Sequence, residues 1–139
     1  ISLDKKTGRV SEVYRPSEKV SLLGSSPDDK VLFIGTETGR ILKYNLHRQK
    51  TSWSVNLGSQ RVEHLVIKGK NLYVLTSGAV LYKLSLARGH LQNWQSIPAR
   101  PGGRLLIFSD EIIVPSLDNV LFGFEPNSLQ NSSKTIFLA

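Results

Sequence analysis

The feature that most constrains the fold is an internal repeat with a period of forty residues. Cut at that interval, the chain shows alternating apolar and polar segments in one column, at residues 1–4, 41–44, 81–84 and 121–124. Runs of β-branched and aromatic residues form a second column, at residues 31–35, 71–75 and 111–115. Alternation indicates a half-buried strand, whereas a short continuous apolar run between turn signals indicates a strand buried on both faces.

Turns of matching length separate these columns, at residues 36–39, 76–79 and 116–119. They contain Gly, Asn or Asp, which tolerate the positive φ of a tight hairpin. A third apolar column lies at residues 20–23, 62–67 and 104–108, and a fourth, more polar column lies at residues 8–14, 50–55, 90–95 and 133–137. Each repeat is therefore predicted to contain four short strands joined by hairpins.

Four short strands per forty residues match the blade of a β-propeller, a small twisted sheet that packs against its neighbours around an axis. We expect an all-β fold, a β-propeller of about three and a half four-stranded antiparallel blades that is part of a larger propeller. Residues 1–139 form one segment, with blade breaks predicted near 15–19, 56–61 and 97–103. A helical solenoid would need apolar residues at i, i+3, i+4 and i+7, and a β-sandwich would not repeat one column order at constant spacing.

Two stretches resemble the repeats of PQQ-like (quinoprotein-like) propellers. Residues 3–10 (LDKKTGRV) resemble the family's "LD..TG.V" hairpin, and residues 33–46 (FIGTETGRILKYNL) resemble its "VG..DG.LYALD" core. Trp53 follows where the family has a docking tryptophan. Residues 26–30 (SPDDK) are also similar to the "SPDGK" turn of WD40 propellers. The resemblance spans the whole chain and implies a propeller-repeat protein.

The departures from the family pattern bear on function. The quinone-dependent dehydrogenases of the family hold a quinone and a calcium ion with carboxylates and amides and use an aspartate as base, and no residues here match that site. The resemblance therefore implies a non-catalytic member, such as the scaffold propellers that assist outer-membrane protein assembly or the luminal sensing domains of stress receptors. We expect a protein-binding scaffold or sensor, not an enzyme, with no cofactor. The alternative is that the chain is part of a larger quinoprotein-like enzyme, or of a propeller that binds a small molecule, with the site on the central axis.

Residues that could do chemistry do not converge in the sequence. His47 and His90 fall in equivalent outer hairpins and His64 in a strand, so surface histidines are expected rather than metal ligands. The acidic pairs at residues 28–29 and 110–111 could hold a hard cation, but turn chemistry explains them more simply. With no cysteine, the chain has no disulfide, no thiolate nucleophile and no cysteine-bound metal.

Two tryptophans, Trp53 and Trp94, lie in the fourth column. Trp94 stands one place out of register with Trp53. Large aromatic side chains contribute much buried apolar area, so both are expected to lock one blade onto the next.

The charge balance is basic, with 18 Lys and Arg against 11 Asp and Glu and a net charge of +7. The basic residues are scattered, which favours a solvated surface, but blade geometry would place the outer hairpins on one face. We therefore predict a basic docking face for an acidic protein surface. Its residues are Lys5, Lys6, Arg9, Arg48, Lys50 and Arg88. A nucleic-acid partner is not expected, because aromatic and basic residues are not interleaved as in stacking platforms.

The incomplete ring predicts a further partner. Three and a half blades leave open sheet edges, which a longer chain, a second copy or another protein would complete. No stretch approaches the ~18 apolar residues of a membrane-spanning helix, so no membrane span is expected. The sequence as given opens without a signal peptide, which excludes nothing about secretion, and the composition indicates no compartment.

Overall fold

In a computed structural model, the described residues are 17–130, together with the backbone of 2–3, 10–11 and 136–137. The regular structure of these residues is all β, in one two-stranded and three four-stranded antiparallel sheets. Each four-stranded sheet is a meander in which every strand pairs with its sequence neighbour. This all-β arrangement confirms the predicted class.

The strands follow the four columns of the repeat. Ser2–Leu3 (β1) pairs with Val10–Ser11 (β2). Blade 1 comprises Val20–Ser25 (β3), Val31–Thr36 (β4), Arg40–Asn45 (β5) and Lys50–Asn56 (β6). Blade 2 comprises Val62–Lys68 (β7), Asn71–Thr76 (β8), Val80–Ser85 (β9) and Leu91–Ser96 (β10). Blade 3 comprises Leu106–Phe108 (β11), Glu111–Pro115 (β12), Val120–Phe124 (β13) and Ile136–Phe137 (β14).

The core lies between the blades, and the second strand of a blade is buried on both faces. In β8, Leu72 and Val74 belong to the apolar cluster shared with blade 1, whereas Tyr73 and Leu75 belong to the cluster shared with blade 3. All four side chains are at most 1% exposed. Burying each one stabilises the fold by about 1.5–3 kcal/mol, which accounts for the continuous apolar run. The prediction of a doubly buried strand is confirmed.

The second hairpin of each blade turns at a residue with positive φ. These residues are Gly39 in blade 1, Ala79 in blade 2 and Asn119 in blade 3. Glycine and asparagine accept this conformation at low cost, as predicted. In blade 2 the glycine stands one place earlier, at Gly78, where a Cβ would lie 2.8 Å from Cγ of Gln60. The left-handed position itself is occupied by Ala79, with a φ of 59°.

Blades 1 and 2 are joined by hydrogen bonds to a backbone carbonyl. The Nζ of Lys43 and the Nε1 of Trp53 both donate to the carbonyl oxygen of Leu86, at 2.9 and 3.1 Å. Lys43 and Trp53 are cross-strand partners, so they reach the next blade from the same face. The Trp53 ring also packs against Gly89 and tilts against Phe33. The prediction that Trp53 locks two blades together is confirmed.

Blades 2 and 3 are joined in the same way. Three side chains of blade 2 donate to consecutive carbonyl oxygens of blade 3: Tyr73 Oη to Pro126 at 2.8 Å, Lys83 Nζ to Asn127 at 3.2 Å, and Asn93 Nδ2 to Ser128 at 2.7 Å. Lys83 stands forty residues after Lys43, and Asn93 forty residues after Trp53. Gly123 occupies the corresponding position of blade 3, so a lysine contact of this kind is not repeated there.

The prediction for Trp94 was wrong. Its side chain is 57% exposed, and it pairs across strands with Tyr82 rather than with Lys83. A shift of one residue along a strand turns a side chain to the opposite face of the sheet. Asn93 therefore takes the docking position, and Trp94 points away from blade 3.

The contact between Trp53 and Gly89 generates a stability prediction. A Cβ on Gly89 would lie 2.5 Å from the Trp53 ring, so Gly89→Ala forces the ring away from blade 2. Gly69→Ala is the matched control, because its φ of 60° is close to the 71° of Gly89 and no atom lies within 4 Å of its Cβ. We expect the control to lower the free energy of unfolding by about 1–2 kcal/mol, and Gly89→Ala by about 1–3 kcal/mol more. Equal losses in urea titrations would contradict this account of the blade contact.

Candidate interaction surfaces

The blade topology divides the exposed loops into two faces. Because successive strands are antiparallel, the turns at residues 26–30, 46–49, 69–70, 86–90 and 109–110 lie on one face, called the hairpin face here. The turns at residues 37–39, 77–79 and 117–119 and the blade connections at 57–61 and 97–105 lie on the opposite face, called the connection face. The fourth strands form the outer edge of the blades.

Three of the predicted docking residues lie on the hairpin face and form what we call the basic patch. Arg48 lies in the turn between β5 and β6, Lys50 begins β6, and Arg88 lies in the turn between β9 and β10. All three side chains are exposed, as are those of the neighbouring His47 and His90. Lys5, Lys6 and Arg9 lie outside the described residues. The docking role of this surface stays a prediction.

The basic patch lies in a segment that is almost free of acidic residues. Residues 38–109 contain eleven Lys and Arg but one acidic residue, Glu63. The rest of the chain contains seven Lys and Arg against ten Asp and Glu, so it is net acidic. The overall charge of +7 thus conceals a central segment of +10 flanked by segments that sum to −3. This uneven distribution of charge can be read from the sequence alone, although the prediction of the basic face did not draw on it.

Most of the other basic side chains of this segment are engaged within the fold. Arg40 pairs with Glu18 and Arg61 with Glu63, each at 2.9 Å, and Lys68 pairs with Asp110 at 3.2 Å. Lys43 and Lys83 donate to carbonyl oxygens of the following blade. Within the described part of the chain, no ion pair involves the members of the basic patch. Their charges are therefore available to a partner.

The acidic pairs serve turns, as predicted. Asp28 accepts hydrogen bonds from the Ser26 hydroxyl at 2.5 Å and from the backbone N–H of Lys30 at 3.1 Å. These bonds, that from Ser26 above all, hold the pKa of Asp28 below its usual range. Asp29 and Asp110 adopt positive φ values of 59° and 61°. Among the described residues, His, Asp and Glu form no cluster of three that could hold a metal ion.

Solved structures of other proteins superpose on this one, although its sequence has no match. No protein-family model matches the sequence, and no curated protein matches it. The structure of BamB from Moraxella catarrhalis superposes with a TM-score of 0.77 at 15% identity, over 89% of this chain and 39% of that one. The RRP9 WD40 repeats give 0.76 at 13% identity, over 90% and 40%. A chain of the mitotic checkpoint complex gives 0.78 at 17% identity, over 96% and 42%.

This chain has the fold of a β-propeller segment. The predicted β-propeller of about three and a half blades is confirmed. At these identities the likeness shows the fold alone. The chain spans about two-fifths of the length of the structures that it matches. No described helix is long and apolar enough to cross a membrane.

The propeller axis is lined by the first strands of the blades, where β3 contacts β7 and β7 contacts β11. A groove of about 340 Å³ lies along these strands. The apolar side chains of Leu22, Leu65 and Leu105 line it together with polar groups that include His64 and Arg104. Nearby, Leu23 and Leu106 are more than half exposed. This groove is the surface that would face the axial channel.

His64 differs from the other two histidines. His47 and His90 are exposed, as predicted, but His64 is partly buried on β7, so the expectation of a surface histidine was wrong for it. Burial among the apolar groove residues lowers the pKa of His64, and Arg104 lowers it further, while Glu63 opposes the shift. The folded protein therefore favours the neutral imidazole.

The pKa of His64 predicts a loss of stability in mild acid. Because the folded pKa lies below the unfolded value of 6.5, the unfolded chain binds the proton first as the pH falls. The contribution of His64 to the free energy of unfolding is therefore complete above that value and is lost on acidification below it. We expect His64→Gln to flatten the decline of stability as the pH falls below 6.5. His90→Gln, in an exposed turn, is the matched control, and identical pH profiles for His64→Gln and the parent would contradict the assignment.

Proposed function

We propose that this propeller segment is a non-catalytic protein-interaction scaffold whose basic patch docks an acidic surface of a protein partner. The observation that carries the proposal is a group of exposed cations on one face, Arg48, Lys50 and Arg88, that form no ion pair with any residue the structure describes. Their hairpins contain no acidic residue. Like charges on adjacent hairpins produce a field that speeds encounter with an opposite surface and disfavours basic partners.

The rest of the hairpin face limits how the partner is oriented. Lys70 borders a groove that also contains Asp110 and Glu125, so the charge near blade 3 is balanced. In blade 1, Lys30 shares its turn with Asp28 and Asp29. The positive field is therefore centred on the outer hairpins of blades 1 and 2. An acidic surface that spans these two hairpins fits this distribution.

Charge reversal tests the proposal. Proteins that bind the parent protein are captured and identified by mass spectrometry. Nuclease treatment removes partners that are bridged by nucleic acid. The affinity of the most enriched protein is then measured at several salt concentrations. We expect Arg48→Glu with Lys50→Glu to weaken binding at least tenfold at about 50 mM salt, with a smaller effect above about 300 mM.

The matched control is Arg100→Glu with Arg104→Glu, which changes the net charge equally in the connection between blades 2 and 3. A control that weakens binding as much as the test pair would indicate a general charge effect, or binding at the axial groove that Arg104 lines, and would overturn the docking face. Enrichment of nucleic acid, with no protein retained after nuclease, would favour a polyanion-binding function instead.

The second candidate is a small-molecule site on the propeller axis, as part of a larger quinoprotein-like enzyme or binding propeller. The groove beside His64 and Arg104 favours it, because ligand sites are usually concave and combine apolar side chains with polar groups that orient the ligand. Pyrroloquinoline quinone with calcium is the probe. An increase in the melting temperature with ligand concentration would support this candidate over the scaffold.

A further inference from the structure

The outer edge of blade 2 carries an exposed apolar surface that the basic patch does not use. Strand β10 ends the sheet order β10–β9–β8–β7, so it pairs with β9 on one side and with no described strand on the other. Leu91 and Trp94 on this strand are 49% and 57% exposed. A strand edge beside large exposed apolar side chains is a template for pairing with another chain.

Leu91 and Trp94 lie on the same face of the sheet. Leu91 pairs with Leu84 and Trp94 with Tyr82, and both of these partners pack in the apolar cluster shared by blades 1 and 2. An irregularity between Leu91 and Asn93 keeps the two exposed side chains in phase. Together they form an apolar strip at the outer edge, on the side of blade 2 that faces blade 1.

Two backbone groups of β10 form hydrogen bonds with side chains of the same strand. The N–H of Trp94 donates to the side-chain oxygen of its neighbour Asn93 at 2.8 Å. The side chain of Gln95 donates to the carbonyl oxygen of Ser96 at 3.3 Å. Such local side-chain bonds compete with strand pairing and can be replaced by it. An incoming strand would offer a carbonyl to the Trp94 N–H in place of the Asn93 oxygen.

Blade 1 provides an internal comparison. Its edge strand β6 has the same place in the sheet and a similar irregularity. Thr51 and Ser54 stand there at the positions of Leu91 and Trp94, because they pair with Tyr44 and Leu42. Strand β6 also begins with Lys50, and a charged edge opposes pairing with other chains. The exposed apolar strip is therefore a property of blade 2 and not a requirement of the outer strand.

The charges around β10 specify the kind of partner. Arg88 and His90 lie in the turn that leads into the strand, and both are exposed. The one acidic residue of blade 2, Glu63, lies on β7 at the opposite edge of the sheet. A segment that pairs with β10 thus meets apolar side chains along the strand and positive charge at its start.

We propose that the outer edge of β10 binds an extended peptide segment of a partner protein by strand addition. Leu91 and Trp94 contact apolar side chains of that segment, and at least one Asp or Glu of the segment lies near Arg88. Main-chain hydrogen bonds supply affinity in this binding mode, and alternate side chains supply specificity. The site shares Arg88 with the basic patch but goes beyond its docking function, since its apolar contacts lie on the edge of β10 and it recognises a linear segment.

The test is selection from a random twelve-residue phage-displayed peptide library on the parent protein. We expect enriched peptides with alternating apolar residues and one or more acidic residues. Synthetic fluorescein-labelled copies should bind at least tenfold more weakly to the variant with Leu91→Thr and Trp94→Ser, which carries the residues of blade 1. Thr51→Ala with Ser54→Ala on β6 is the matched control and should change the affinity less than twofold.

A measurement on the parent protein makes the test independent of how the variants fold. Bound peptide should slow hydrogen exchange at the amide of Trp94 and leave the amides of β6 unchanged. Enriched peptides that bind the parent and the Leu91 and Trp94 variant equally, or a selection without enrichment, would overturn the proposal. Arg48→Glu with Lys50→Glu should retain most of the peptide affinity, so failure of the basic patch and failure of the edge site are distinguishable.

Discussion

The burial of one strand between two neighbouring blades is the constraint on which the rest of the structure depends. Strand β8 places Leu72 and Val74 against blade 1 and Tyr73 and Leu75 against blade 3. A four-stranded sheet of this size cannot bury both of its faces alone, so each blade depends on the blades beside it. The surfaces left for partners are the loops, the axis and the outer edge. Both proposed sites lie on these surfaces.

The sequence predicts the strands and their order well because the repeat presents each strand several times. A single alternating segment would be ambiguous, but three copies at one spacing are not. Side-chain direction is harder to predict. Trp53 and Trp94 differ by one place in the repeat, and the sequence alone suggested the same role for both. The cross-strand pairs show that Trp94 aligns with Ser54 and that Asn93 holds the position of Trp53.

The candidate surfaces were predictable only in part, because they depend on what surrounds each residue. The hairpin positions of Arg48, Lys50 and Arg88 followed from the repeat. Their lack of ion pairs could not follow from it, since Lys68 and Asp110, which do pair, are 42 residues apart and in different blades. The edge site was missed because Trp94, as a large aromatic side chain, was expected to be buried between blades. The environment of His64 likewise requires the packing of three first strands along the axis.

The acceptors that join the blades are main-chain oxygens, and this has an evolutionary consequence. Lys43 bonds to Leu86, and Lys83 bonds to Asn127, without using any side chain of the accepting hairpin. A carbonyl group is present whichever amino acid supplies it, so substitutions in the accepting hairpin leave the acceptor in place. Those hairpins are free to diverge between copies, as Leu86–Ala87–Arg88 and Pro126–Asn127–Ser128 have done. Because of this tolerance, neighbouring blades can differ in the chemistry of their surfaces while they keep the same hydrogen bonds between blades.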